Sequence, residues 1–223
     1  MFEYVEKNSE QIAREIRDKI VSLELLPGTM ISENELSERY LVSRTKIRAA
    51  LSELKSDRYV VVIAQKGTFV SYIDKELVDD IVTLRTSAEL RVLSELASDI
   101  SDEGLNELRS QLDQQRVCMN MGMSYAEFEK YDILFHETCY RLAGRENMWQ
   151  ILSSYAPHYK RFRDLDPSKA PQVRLAFMEH CGIYEGLRLK SKEKAGAAAY
   201  KHISDDYAKY KVGIAEKFPA YFS

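Results

Sequence analysis

The chain has 223 residues, 45% of them hydrophobic and 30% charged, with a formal net charge of -3, enough to bury a real core and to fill two domains. No apolar run approaches the roughly 18 residues of a membrane span, and the polar start Met1 to Glu10 is no signal peptide, so a soluble cytoplasmic protein is expected. Cys118, Cys139 and Cys181 are odd in number and lack close spacing, which excludes a disulfide framework; a Gly-rich phosphate loop, an internal repeat and a low-complexity tract are also absent from the sequence.

Residues 9–23 repeat apolar side chains at Ile12, Ile16, Ile20 and Leu23, predicting an amphipathic helix that stops before Pro27-Gly28. Ser32-Glu33-Asn34-Glu35 reads as a capping box, with Glu35 reaching back, that opens a short helix through Leu36 and Tyr40. Residues 41–54 then combine a cap, Ser43, whose hydroxyl accepts from the first-turn amides, with a packing stripe of Ile47, Ala50, Leu51 and Leu54. Arg44, Thr45 and Lys46 fall at the exposed N-terminal end and Arg48 one turn on, the arrangement of a helix that reads DNA bases. Residues 59–63 and 68–72 are β-branched and aromatic runs joined by Ala64-Gln65-Lys66-Gly67, a hairpin wing with Lys66 at its tip and Gly67 permitting close approach to a groove.

Lysine and arginine ordinarily end as solvated surface charge. Residues 1–72 hold 11 Lys+Arg and 11 Asp+Glu, yet residues 39–58 hold six cations, including Arg39, against Glu53 and Asp57 alone. Positive charge is thus concentrated on the reading element, as DNA binding requires.

Pro27-Gly28, Ile31-Ser32-Glu33, Leu36, Val42-Ser43-Arg44-Thr45, Arg48, Ala50-Leu51, Leu54 and Gly67-Thr68-Phe69-Val70 together resemble the winged helix-turn-helix of GntR-type bacterial transcription regulators. The resemblance spans residues 9–72 and implies that Arg44, Thr45, Lys46 and Arg48 contact operator DNA while the wing around Lys66 and Gly67 enters the adjacent minor groove. Lys46, Ala49 and Asn34 stand where the family usually has proline, glutamate and often arginine. The usual operator consensus is therefore not carried over.

From Asp74 onward strand signals stop, and helices are predicted over 75–100, 102–121, 125–143, 147–164, 172–190 and 192–214, with Ser101, Ser124 and Ser191 as caps and Glu127 completing a capping box. Domains of 1–73 and 74–223 result: a mainly α fold, winged helix-turn-helix first and an all-helical antiparallel bundle second. Residues 73–223 carry 21 cations and 24 anions, so the bundle is not expected to bind nucleic acid.

Asp132 and His136, four apart, share a helix face, while His180 and His202 lie 10 residues before Lys190 and 11 after Ser191, so an antiparallel hairpin sets them side by side. Three imidazoles and a carboxylate suit a divalent transition ion such as Zn²⁺, Ni²⁺ or Mn²⁺. Cys139 is read as core, and His158 as a solvated face or a residue at the pocket mouth. The four-residue set is similar to the metal centre of the FCD ligand-binding domain in the FadR-type branch of the same family. That resemblance implies an effector-binding arginine on the domain's first helix, at Arg85; Arg163 is a second candidate for forking a carboxylate.

A homodimeric regulator, most simply a repressor, is the expectation: two N-terminal domains grip half-sites of a near-palindromic operator, and a small organic acid at the metal controls the grip. The rival readings are a metal-dependent hydrolase with a DNA-binding anchor, which lacks a general base at recognisable spacing, and a regulator with a purely structural metal.

Overall fold

A computed structural model describes residues 7–165 and 170–223. Chain order is α1 (Ser9–Val21), β1 (Met30–Ile31), α2 (Glu33–Tyr40), α3 (Arg44–Ser56), β2 (Val60–Ile63), β3 (Gly67–Val70), α4 (Lys75–Asp99), α5 (Asp102–Asn120), α6 (Tyr125–Leu142), α7 (Glu146–Arg163), α8 (Ala170–Arg188), α9 (Lys192–Tyr200), a π-helical turn (Lys201–Asp205) and α10 (Asp206–Lys217). Two compact units result. The first runs to Lys75 and also takes in Lys160–Leu165 and Lys217–Ser223; the second holds Glu76–Tyr159 and the stretch ending at Glu216.

In the first unit α1 starts at Asn8, whose Oδ1 accepts from Gln11 N at 2.8 Å while the Gln11 side chain accepts from Asn8 N, a capping box that the sequence reading passed over. Ile12, Ile16 and Ile20 pack with Ile47, Ala50, Leu51 and Leu54 of α3, so the stripes at helical spacing are the core. Ser32 Oγ accepts from Glu35 N at 3.3 Å, but the return bond from the Glu35 side chain is not formed; α2 is capped on one side only. Leu41 ends α2 in the left-handed region (φ 54°), and Ser37 Oγ donates to Val42 O at 2.6 Å, which fixes the turn into α3.

The wing is a three-stranded antiparallel sheet of order β1-β3-β2, with Val60 opposite Val70 and Ile63 opposite Gly67. Its third strand, β1, is only two residues long and escaped the sequence reading because no alternation develops in so short a run. Gly67 has φ 121°, a conformation that disfavours any side chain at the tip. Arg161 is 2% exposed, and its guanidinium donates to the hydroxyl and carbonyl oxygens of Ser71, whose hydroxyl donates to Arg58 O at 2.8 Å. A parallel bridge between Ile73 and Phe222 adds the last residues of the chain to this unit.

In the second unit α5, α6, α8 and α9 share a core that includes Leu108, Leu112, Phe135, Cys139, Ile183, Leu187, Ala195 and Ala199, joined by Leu93, Leu96 and Ala97 of α4. Ser124 and Glu127 form the predicted capping box at the start of α6. Helices α8 and α9 turn over at Lys190 (φ 51°) and lie unusually close, because Gly182 faces Ala198 and Gly186 faces Ala195. A Cβ at Gly186 would stand 2.3 Å from the backbone nitrogen of Ala195. The single long helix expected over 192–214 is interrupted: the π-turn Lys201–Asp205, which carries His202, separates α9 from α10. A π-turn widens the helix by one residue and shifts the direction of the next helical segment, a device common at functional sites.

Candidate metal centre and DNA-reading surface

Four helices, α4, α5, α6 and α8, and the π-turn bring the predicted ligands together with their supporting groups. Asp132 and His136 come from α6, His180 from α8 and His202 from the π-turn, and one ligand atom of each lies within 4.8 Å of all the others. The Nε2 atoms form a near-equilateral triangle: His136 to His180 3.2 Å, His180 to His202 3.2 Å, His136 to His202 3.3 Å. Asp132 Oδ1 stands 3.4 Å from His180 Nε2 and 3.9 Å from His202 Nε2. Neighbouring ligand atoms around an ion with bonds of about 2.0–2.1 Å are separated by about 2.8–3.0 Å in octahedral and about 3.3–3.4 Å in tetrahedral coordination.

The groups behind each ring decide what the triangle can bind. His136 Nδ1 is 2.5 Å from Glu89 Oε1, His202 Nδ1 is 3.1 Å from Glu179 Oε2, and His180 Nδ1 is 2.8 Å from Gln115 Oε1. The Gln115 amide nitrogen donates to Tyr131 O at 3.0 Å, so its oxygen is the atom turned to His180. Every one of these partners is an acceptor, so each Nδ1 carries the proton and each Nε2 presents a lone pair to the other two. Three lone pairs and a carboxylate oxygen converge in a buried space without a donor of their own. A divalent cation satisfies all four, and the imidazole–carboxylate pairing behind the ligands is the usual way a protein orients them.

The electrostatics agree with that donor set. Burial acts to raise the Asp132 pKa, but His180, His136, His202 and Arg85 outweigh it and hold the carboxyl well below the usual range. Glu89 shows the same balance: burial raises, and His136 and then Arg85 pull it below its ordinary value. Burial, with His202 next, pushes the His180 imidazole well below its ordinary pKa and keeps it neutral, the form that ligates a metal. Arg85, half-buried on α4, remains charged because Glu89 and Asp132 offset its desolvation. Cys139 is in the apolar core, where burial drives its thiol pKa well up. Arg163, the second arginine, belongs to the first unit at the end of α7, its Nε 3.8 Å from Asp164 Oδ1. Glu89, Gln115 and Glu179 were missed by the sequence reading; the one available signal was that Glu89 follows Arg85 by one helical turn.

On the first unit, Ser43, Arg44, Thr45 and Arg48 are exposed at the start of α3 and Lys46 is half-buried, while Lys66 and Gly67 are exposed at the wing tip. Ser43 occupies the N-cap position, yet its hydroxyl makes no capping bond; its carbonyl accepts from Lys46 N at 3.0 Å and Ile47 N at 3.3 Å. The expected cap is therefore replaced by an uncapped helix start, which suits a phosphate oxygen. Arg48 Nε donates to Glu33 Oε2 at 2.9 Å, an exposed pair whose strength of at most about 1 kcal/mol leaves the arginine exchangeable with an outside anion.

A winged helix-turn-helix joined to a histidine-lined helical bundle defines a two-domain, DNA-binding regulator. Comparison with known proteins places it further: residues 8–70 match the family described as bacterial regulatory proteins, gntR family, and residues 80–205 match the FCD domain. The chain belongs to the GntR family of transcriptional regulators and carries its FCD domain; it is a regulator rather than an enzyme. It is 29% identical over 214 residues (95% of this chain, 89% of the relative) to an HTH-type transcriptional regulator in an unstable DNA locus of Streptomyces ambofaciens. It is 25% identical over 197 residues (88% and 86%) to the HTH-type transcriptional repressor RspR of Escherichia coli K12. E. coli McbR/YncC shares the fold with a TM-score of 0.70 at 16% identity, covering 94% of this chain and 98% of that one. No helix among the described residues is long and apolar enough to cross a membrane.

Proposed function

We propose that this regulator is a cytoplasmic, homodimeric repressor whose hold on a near-palindromic operator is controlled by a small organic acid bound at a divalent-metal centre. The observation that carries the metal is the set of four converging acceptors, Asp132 Oδ1 and the Nε2 atoms of His136, His180 and His202, backed by the oxygens of Glu89, Gln115 and Glu179 that accept from the three Nδ1 atoms. Their mixture of imidazole and carboxylate suits Zn²⁺, Ni²⁺ or Mn²⁺. Bound there, the ion offers Lewis-acid coordination to a carboxylate or hydroxyl. Arg85, whose charge is felt by Asp132 and Glu89, is the arginine suited to fork that carboxylate; Arg163 is the test position expected to matter less. Elemental analysis of the purified protein and a thermal-shift screen with lactate, gluconate and succinate test this half. Protein that takes up none of the three metals overturns the centre; metal-loaded protein that no acid shifts leaves a structural metal instead.

On the DNA side, Arg44, Thr45, Lys46 and Arg48 enter the major groove, the uncapped start of α3 at Ser43 takes a phosphate, and Lys66 with Gly67 tracks the backbone into the minor groove. The name of the RspR relative supports repression as the sign of control. Arg44→Ala is expected to weaken operator binding by about 1–3 kcal/mol and to relax selectivity at one base pair if Arg44 reads a guanine. Fluorescence anisotropy against operator variants reads both quantities, and unchanged affinity and selectivity would remove Arg44 from the interface.

A further inference from the structure

One buried carboxylate touches the histidine cluster and stands one helical turn from Arg85. Glu89 is 1% exposed and comes one turn of α4 after Arg85, so both side chains leave the helix on the same face. Its Oε1 lies 2.5 Å from His136 Nδ1, while Oε2 is buried with no hydrogen-bond partner. The Arg85 guanidinium helps to hold the Glu89 carboxyl below its ordinary pKa, and Glu89 and Asp132 in turn favour the charged form of Arg85. The Tyr140 hydroxyl also lies in the field of Glu89, which with burial raises its pKa.

We propose that Glu89 is the positioning residue that makes metal binding and carboxylate capture interdependent. Its Oε1 sets the tautomer and direction of His136, and its negative charge keeps the Arg85 guanidinium beside a divalent ion that would otherwise repel it. This role rests on the metal reading above. A cationic arginine and a metal within one buried site oppose each other unless an anion lies between them, because the low local dielectric leaves little screening. Glu89 is the only carboxylate that both hydrogen-bonds a ligand imidazole and shares a helix face with Arg85 among the described residues.

Glu89→Gln tests this, since the amide keeps the shape and the acceptor for His136 but loses the charge. Zn²⁺ affinity is measured in full-length protein by competition with a chromophoric chelator, for wild type, E89Q, R85M and E89Q/R85M. E89Q is expected to bind Zn²⁺ about 10–100-fold more weakly, the usual effect of altering the carboxylate behind a ligand imidazole, here by removing its charge. R85M is expected to change wild-type affinity by no more than about threefold, and to recover about tenfold in the E89Q background, because only there has the arginine lost the Glu89 charge. The visible spectrum of the Co²⁺ form reports whether His136 still ligates. E89Q binding Zn²⁺ within twofold of wild type, or R85M acting equally in both backgrounds, overturns the proposal. If E89Q does not fold, E89D serves: the shortened carboxylate should weaken Zn²⁺ at least about fivefold yet leave the R85M effect at its wild-type size, and unaltered Zn²⁺ binding overturns the role. Wild-type protein that binds Zn²⁺ no tighter than H136A would overturn the metal reading together with this proposal, whereas tight wild-type binding beside an unaffected E89Q overturns the Glu89 role alone.

Discussion

Gly186→Ala is expected to lower the thermal unfolding midpoint of the helical unit by roughly 6–12 °C, corresponding to a loss of about 3 kcal/mol. The added methyl would stand 2.3 Å from Ala195 N and 2.6 Å from Ala195 Cα. These are backbone atoms of the facing helix, which cannot rotate away as a side chain can, so α8 and α9 must separate. Separation has a second consequence, because His180 on α8 and His202 just beyond α9 owe their 3.2 Å approach to that contact. The variant should therefore lose metal affinity along with stability, although the substituted residue touches neither ligand. Gly182→Ala meets only Ala198 Cβ at 3.2 Å and should be milder on both counts. Calorimetry with and without Zn²⁺ measures the pair; equal midpoints for wild type and Gly186→Ala would contradict the close seam.

Much of this was legible in the residues because it depends on short-range periodicity. The stripe of Ile47, Ala50, Leu51 and Leu54 on α3 arises from one-face burial at a period of 3.6, and the wing is visible through its β-branched composition, with alternating burial in β3 but Val60 alone buried in β2. Asp132 and His136 are adjacent by helical spacing alone, and His180 with His202 by the arithmetic of a hairpin closed near Lys190. The partners behind the rings are another matter. Glu89 meets His136 across 47 residues and Gln115 meets His180 across 65, so their pairing is decided by how four helices dock. The π-turn was hidden for a related reason. Ala195, Ala199 and Ile203 continue a four-residue spacing straight through it, so the apolar pattern gives no sign that a residue has been inserted. Ser43 failed as a cap because its residue type reports the ability to bond, while the geometry of the turn decides whether the bond is made.

The second large effect belongs to His136→Ala, and it should have two separable parts. Deleting the imidazole removes one ligand of the centre, so the stabilisation that Zn²⁺ confers on the wild type, about 4 kcal/mol at a thousandfold excess over Kd, should vanish. It also strands Glu89, whose Oε1 has His136 Nδ1 as its hydrogen-bond partner and whose Oε2 has none. Leaving a buried carboxylate without its hydrogen-bond donor costs about 1–3 kcal/mol or more, so the variant should be less stable than wild type even when both are held in chelator. The sign of the pH response separates this cause from a simple cavity. In the wild type the Glu89 pKa is held below its ordinary value, so its pairing stabilises the fold above the unfolded-state pKa and the benefit is lost as pH falls through the folded value. In His136→Ala burial acts with that opposing partner gone, the carboxyl pKa moves up, and acidification toward pH 5 should narrow the gap between the two proteins in chelator. Unfolding free energies at pH 5 and pH 8 in EDTA supply the check: a gap that stays constant or widens on acidification would mean that Glu89 does not depend on His136 for its charge.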